Sequence, residues 1–416
     1  MSAASPKTET ESGARAFTGN LDVPPPLPRA SRETAEQLME DGRLFRYAET
    51  GEGAPEAAAL EEEFAAYMGA RYCVAVNSCG CALFLALRAA GVAPGDRVLV
   101  NAFTLAPAPG AIAHAGAEPV LVDIDENLAI NLKDLREKAR TSRAKHLLLS
   151  HMRGHVADLD AVAEICAEAG LTLVEDCAHT TGARWNGRLT GRFGVAGCFS
   201  GQSYKHLNGG EGGLIVTDDP DLAARVTLMS GSYMLYAQHR ARPGLDVFER
   251  WRLETPNFSM RMNGLTAAIL RPQLAELDTR VRRWREIHAR VAVRLAGSPR
   301  IRLPQTPEAA YLAPTSIQFT LEGLDAEEIA EVIARTAQRG VPIKWFGAEA
   351  PVGFTSRPDH WRYIAGAHTP PRAAAILARL CDVRLPLQLT DAECDLIGDI
   401  VADAAGTPGA AARNPA

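Results

Sequence analysis

The residue best placed for covalent chemistry is a lysine set among small residues, in Phe199-Ser200-Gly201-Gln202-Ser203-Tyr204-Lys205-His206-Leu207-Asn208-Gly209-Gly210-Glu211-Gly212-Gly213. Only six lysines occur in the chain (Lys7, Lys133, Lys138, Lys145, Lys205 and Lys344), so the candidates for a reactive amine are few. Glycines on one side and a Ser/Gln run on the other let backbone close tightly around a bulky group. A buried amine with a lowered pKa is what Schiff-base chemistry uses, because only the neutral form attacks a carbonyl. An ordinary surface lysine in a glycine-rich loop would read the same in isolation.

Twenty-nine positions earlier, the apolar run Leu171-Thr-Leu-Val-Glu175-Asp176-Cys177-Ala178-His179 ends in two acids. Ligands of open α/β sheets sit beyond the carboxyl ends of the strands, so an acid there faces the crevice and can hold a cationic heterocycle. A strand-end Asp that only caps the next turn is the alternative. Further upstream, Val74-Ala-Val-Asn77-Ser78-Cys79-Gly80-Cys81 passes from strand to helix through a Ser. Ser is a preferred N-cap, the first-turn amides and the helix dipole suit a phosphate, and Gly80 would admit a close approach. A plainly capped helix is the bland reading of that junction. Taken together, a phosphate cradle, a strand-end acid and a lysine describe pyridoxal phosphate. The cradle near Ser78 takes the phosphate, Asp176 keeps the ring nitrogen protonated, and Lys205 binds the aldehyde.

These residues need a scaffold, and the pattern supplies one. Helical periodicity at Glu56 to Met68, Cys79 to Ala90, Pro107 to Ala115 and Ala157 to Ala169 alternates with strand-like runs. Those runs are Tyr72 to Val76, Arg97 to Val100, Pro119 to Asp123, Lys145 to Ser150, Leu171 to Asp176 and Gly213 to Thr217. The alternation predicts an α/β fold, a mostly parallel sheet covered by helices on both faces. After Thr266 a single long helix to Leu295 is expected, then a smaller α+β region with a strand at Ser316 to Thr320 and helices at Ala326 to Arg339 and Thr390 to Ala404. The expected organisation is a disordered or extended tail over 1–30, a large domain over 31–275, a small domain over 276–404 and a flexible tail over 405–416.

Composition bounds the partners. With 416 residues, 47% hydrophobic and 23% charged, the chain can bury large cores, and 44 basic against 50 acidic residues gives −6, the wrong sign for a nucleic-acid binder. No apolar run of membrane-spanning or signal-peptide length occurs, and the eight cysteines lack paired CxxC spacing, which predicts a soluble cytoplasmic protein without a metal site.

From about Gly42 to Ala404 the sequence resembles the DegT/DnrJ/EryC1/StrS family of sugar aminotransferases. The most specific stretches are Val174-Glu-Asp-Cys-Ala-His179, Gly194-Val-Ala-Gly-Cys-Phe-Ser200, Lys205 and Gly210-Glu-Gly-Gly-Leu-Ile-Val-Thr217. Collinear support comes from Gly116-Ala-Glu-Pro-Val-Leu-Val-Asp-Ile-Asp125 and Arg261-Met-Asn-Gly-Leu-Thr-Ala-Ala-Ile. The resemblance implies fold type I and an amino transfer from glutamate or glutamine to a ketosugar or ketocyclitol, in antibiotic or cell-surface biosynthesis. It makes Lys205 the Schiff-base lysine and Asp176 the partner of the ring nitrogen. His179 would approach the cofactor's phenolic oxygen, and Ser200 and the backbone at Cys79 and Gly80 would hold the phosphate. It also implies a homodimer in which an Asn of the partner chain reaches that phosphate. A pyridoxal phosphate enzyme that eliminates or replaces a substituent of an amino acid is the alternative function.

Three positions depart from the family pattern. Ser78-Cys79-Gly80-Cys81 lacks a phosphate-binding Thr, the position of the ring-stacking aromatic holds Leu105 with Phe103 nearby, and the Asn before the Arg-Met pair is Ser259, with Asn257 the nearest candidate. They alter the pocket wall but keep the lysine and the acid. His151, His155 and Asp158 are expected to have structural roles, and Tyr233 to Tyr236 and Lys344 to Phe346 to pack or to line a channel.

Overall fold

The computed structural model describes residues 15–48, 54–350, 357–364 and 369–406. Among the described residues fourteen strands follow one another. Five early ones are β1 (Tyr72–Val76), β2 (Arg97–Asn101), β3 (Glu118–Val122), β4 (His146–Ser150) and β5 (Thr172–Asp176). Then come β6 (Arg184–Trp185), β7 (Arg188–Leu189), β8 (Ala196–Ser200), β9 (Gly213–Thr217), β10 (Ile301–Arg302), β11 (Ala310–Tyr311), β12 (Ser316–Leu321), β13 (Lys344–Trp345) and β14 (Leu380–Arg384).

Seven strands form the large sheet in the order β1-β9-β8-β5-β4-β2-β3. The neighbours from β8 to β3 pair in parallel, and β9 runs antiparallel to both β8 and β1. Strands β1, β4, β5, β8 and β9 are almost wholly buried, as apolar runs between two helical layers require. One layer includes the helix Cys79–Ala89, whose Leu83, Leu85 and Leu87 are completely buried. The other includes the helix Glu56–Met68, whose Leu60 and Phe64 are equally inaccessible. Because parallel neighbours end together, the carboxyl ends of β2, β4, β5 and β8 bring Asn101, Ser150, Asp176 and Ser200 to one edge. Asn101 ties two of these ends: its Oδ1 accepts from Ser150 N (2.8 Å), and its Nδ2 donates to Phe103 O (2.7 Å) and Ser150 O (3.0 Å).

The smaller sheet, β10-β12-β14-β13, is antiparallel. Ile317, Phe319, Cys381 and Val383 point from it into a second core shared with Ile287, Val291 and Leu295.

The expected helix Thr266 to Leu295 is broken into Gly264–Leu270, a 3-10 stretch Arg271–Glu276 and Leu277–Leu295. Pro272 cannot donate to the preceding turn. Buried Gln273 turns inward instead, donating to Asn208 O (2.7 Å) and accepting from Asn208 N (2.9 Å), so the break anchors the lysine loop.

The expected amino-terminal tail needs correction as well. Residues 1–14 lie outside the described residues, but Phe17 and Leu21 are buried in the second core, and Phe17 N donates to Arg339 O at 2.9 Å. The segment is irregular backbone rich in proline and polar residues, so its two core residues belong to no repeating pattern that the sequence could show. At the other end the last helix runs on through Ala405, fully buried, to Gly406, and the rest of the expected tail lies outside the described residues.

Candidate active site

Lys205 follows β8 in the loop that leads to β9. The loop is pinned on both sides of the lysine. His206 Nε2 lies 2.8 Å from Ala313 O, and its ring packs edge-on against Trp284. Asn208 binds Gln273 and donates to Pro25 O at 3.1 Å. The amine is held 2.9 Å from His179 Nε2, on a side chain that as a whole is half-buried. Burial and the neighbouring Arg153 charge push its pKa down to about 7, with Asp176 opposing. His179 is itself driven well below the usual imidazole range by burial and by the lysine, so it stays neutral and can accept a hydrogen bond from the amine.

Asp176 ends β5, with Oδ1 accepting from Ala178 N (3.1 Å) and Oδ2 from Ser150 Oγ (2.9 Å). Ser150 in turn accepts from Thr104 Oγ1 at 2.8 Å. Burial raises the carboxyl's pKa, against these hydrogen bonds and the Lys205 charge. A cationic group opposite it would bring it back down. Thr104 and Ser150 escaped the sequence reading, because a hydroxyl at a strand end has no signal apart from the acid it serves.

At the third corner, Ser78 caps the helix Cys79–Ala89, accepting from Cys81 N at 3.2 Å, so the first-turn amides lie at the positive end of the dipole. Ser78 also bridges to Gly212, and a Cβ on Gly213 would collide with Ser78 O, which explains that glycine by close approach. Gly80 differs. A Cβ there would meet Pro107 Cβ and Ser78 Oγ only at 3.9 Å, so the protein itself leaves room above this turn. Cys79 feels the charges of both Asp176 and Lys205, which places the first turn beside them, and burial raises its thiol pKa. Ser200 is buried at the end of β8, facing Gly213 across the sheet, with Oγ 3.3 Å from Gln202 N.

Phe103 is fully buried, edge-on to Phe346 at 5.3 Å, whereas Leu105 is half-buried at the rim of that cluster. Asn257 is exposed and folded back on Ser259, accepting from its N (2.9 Å) and Oγ (3.2 Å). Among the described residues no hydrogen bond joins it to Lys205, Asp176 or His179 of its own chain. His151, Glu175 and Cys177 converge closely enough to hold an ion, but Glu175 is already saturated by Gly191 N, Phe193 N, Gly194 N and His151 Nε2. His155 binds Gln318 (2.8 Å), and Asp158 caps the helix Leu159–Ala169.

The donor set suits pyridoxal phosphate: an amine near neutrality, a buried carboxylate fixed by two donors, and a helix amino terminus with space above a glycine. The family model for DegT/DnrJ/EryC1/StrS aminotransferases matches residues 34–401. The chain is 36% identical to the spore coat polysaccharide biosynthesis protein SpsC of Bacillus subtilis, over 65% of this chain and 68% of that one. It is 32% identical to 3-amino-5-hydroxybenzoate synthase of Amycolatopsis mediterranei, over 75% and 78%. The crystal structure of S. venezuelae DesV in complex with a ketimine intermediate superposes with a TM-score of 0.76 at 28% identity, covering 92% of this chain and all of that one. The chain therefore belongs to the DegT/DnrJ/EryC1/StrS aminotransferase family, whose members are pyridoxal-phosphate-dependent aminotransferases of fold type I.

Proposed function

We propose that this protein moves an amino group from an amino acid, glutamate or glutamine, onto the carbonyl of a ketosugar or ketocyclitol, in antibiotic or cell-surface biosynthesis. The observation that carries the reading is Lys205: its amine, pushed to about 7, stands against His179 at 2.9 Å and within the field of Asp176. Pyridoxal phosphate, when bound, supplies an aldehyde that captures amines and a cationic ring that draws electrons from the substrate carbon. Lys205 is the nucleophile and, once displaced by substrate, the base that moves a proton from the substrate carbon. His179 orients Nζ and stays neutral so as not to compete for that proton. Asp176, held by Ser150 and Ala178, keeps the ring nitrogen's proton in place. The amides of Cys79 and Gly80, with Ser200, would hold the phosphate, and Leu105, in the place of the stacking aromatic, would rest against the ring.

The acceptor class is supported by the names of the relatives, a polysaccharide biosynthesis protein and an aminohydroxybenzoate synthase. A homodimer completes the site in this reading. Asn257 is exposed, as are Tyr233, Met234 and Leu253, whose fractional exposures of 56, 80 and 86% are those of apolar surface that a second copy would cover. The eight cysteines are all unpaired, which suits the cytoplasm.

The test is a pair of half-reactions. Glutamate or glutamine added to the holoenzyme should convert the cofactor to pyridoxamine phosphate, seen as a shift of its absorbance, and a ketocyclitol or ketosugar should reverse it. Loss of a β-substituent from an amino acid without that conversion would show elimination or replacement instead.

A further inference from the structure

The small sheet has two unlike faces. Side chains alternate along a strand and cross-strand partners share a face. The pairs Ser316 with Arg384, Gln318 with Asp382 and Asp382 with Lys344 therefore lie together, opposite the face that carries Ile317, Phe319, Cys381 and Val383 into the core. This polar face is nevertheless largely buried, with Ser316, Gln318 and Asp382 no more than 3% exposed.

Across from it stands the turn after β4. Its His151 N donates to Asp176 O at 3.1 Å, and a Cβ on Gly154 would lie 3.4 Å from His179 O, so the turn adjoins the site. Arg153 projects from that turn to Asp382, 3.0 Å away, with its side chain only 12% exposed. Its backbone is left-handed (φ 57°, ψ 17°), a conformation that costs a non-glycine residue energy and persists where the surroundings hold it. Its buried Nε has no hydrogen-bond partner among the described residues. Arg384 lies over the Tyr204 ring at 4.2 Å, one residue from Lys205. Arg153 is thus paired with buried Asp382, which faces Lys344 across the strands, while Arg384 on the same face reaches exposed Asp22 at 3.4 Å. A planar guanidinium with unspent donors in such a place is suited to a carboxylate.

We propose that Arg153, supported by Arg384, binds a carboxylate of the substrate that reacts at Lys205. The inference rests on the aminotransferase reading and adds the group that fixes the substrate's orientation. An amino-acid donor carries such a group, and so would an acidic keto acceptor.

The test uses the two half-reactions of the holoenzyme, wild type against Arg153→Gln and Arg153→Lys. The donors are glutamate, glutamine and isoglutamine, in which the α-carboxylate is an amide. The acceptors are a 2-oxo acid and a neutral ketocyclitol. Loss of a charge-assisted bond should raise the KM of the carboxylate-bearing substrate about 10²-fold in Arg153→Gln, with kcat changing less and Arg153→Lys recovering part of the loss. A selective loss for glutamate and glutamine over isoglutamine assigns the site to the donor's α-carboxylate, and one for glutamate and isoglutamine over glutamine assigns it to the γ-carboxylate. A selective loss for the oxo acid over the ketocyclitol assigns it to the acceptor. Equal losses for all three donors together with equal losses for both acceptors, or no loss in either arm, overturn the proposal. A wild-type enzyme that converts its cofactor with no amino acid refutes the aminotransferase reading, which the variants do not test. Arg384→Gln, made in parallel, should give the same selectivity with a smaller shift.

Discussion

Charge and burial at single residues decide when this site can work. Lys205 titrates near 7 because its surroundings disfavour a cation: burial first, then Arg153, with Arg384 adding to them and Asp176 opposing. Capture of the cofactor's aldehyde by the apoprotein should therefore slow as pH falls below about 7, where the amine protonates, and level off above it. Stopped-flow absorbance between pH 5.5 and 9 measures this. The same depression acts on the fold. Between about pH 7 and the amine's ordinary range the unfolded chain binds a proton that the native state does not, so stability rises with pH across that window, and the cost is complete below it. Lys205→Met should accordingly raise the Tm of the apoprotein at pH 7 while abolishing turnover, a direction opposite to that of most buried substitutions. Asp176→Asn keeps the shape of the strand end but loses the charge, and should lower kcat/KM by at least about 10²-fold with the cofactor still bound.

Elements act here through the junctions between them. The strand-to-helix turn at Ser78 lies against Gly213, so Gly213→Ala forces the two apart and should destabilise the protein by about 1–3 kcal/mol, read as a lower Tm. Gly80→Ala stands in the same turn but has room within the protein. Its Tm should hold, while affinity for pyridoxal phosphate falls about tenfold or more in a fluorescence titration. An unchanged affinity would remove the phosphate from this turn. The opposite responses separate a glycine kept for packing from one kept for a ligand.

At the scale of the whole molecule, long-range ties join the two cores to the lysine loop. The amino-terminal segment enters the second core with Phe17, receives a hydrogen bond from Asn208 at Pro25 O, and presents Asp22 to Arg384. Phe17→Ala should cost about 3 kcal/mol in urea denaturation, as a core truncation does and a tail substitution does not. If the exposed face around Met234 is covered by a second copy, Met234→Asp should shift the mass in solution from dimer towards monomer and lower activity with it.

Much of this was legible in the residues alone. The helix Glu56–Met68 and the strands β1 and β9 lie where periodicity places them, because their burial pattern is written locally. Lys205, Asp176 and the Ser78 turn could be proposed as a group because each sits at the end of an element whose type the pattern reveals. Other features depend on neighbours distant in sequence. Gln273 bends a helix toward Asn208, Phe17 finds a core formed by residues near 300 and 400, and Thr104 reaches Ser150 across the sheet. The polar alternation of Ser316 to Leu321 would have suggested a solvent-facing side, yet that side is buried against Arg153. A strand's pattern shows that its two faces differ, and only the packing of the two sheets decides whether the polar one meets water or an active site.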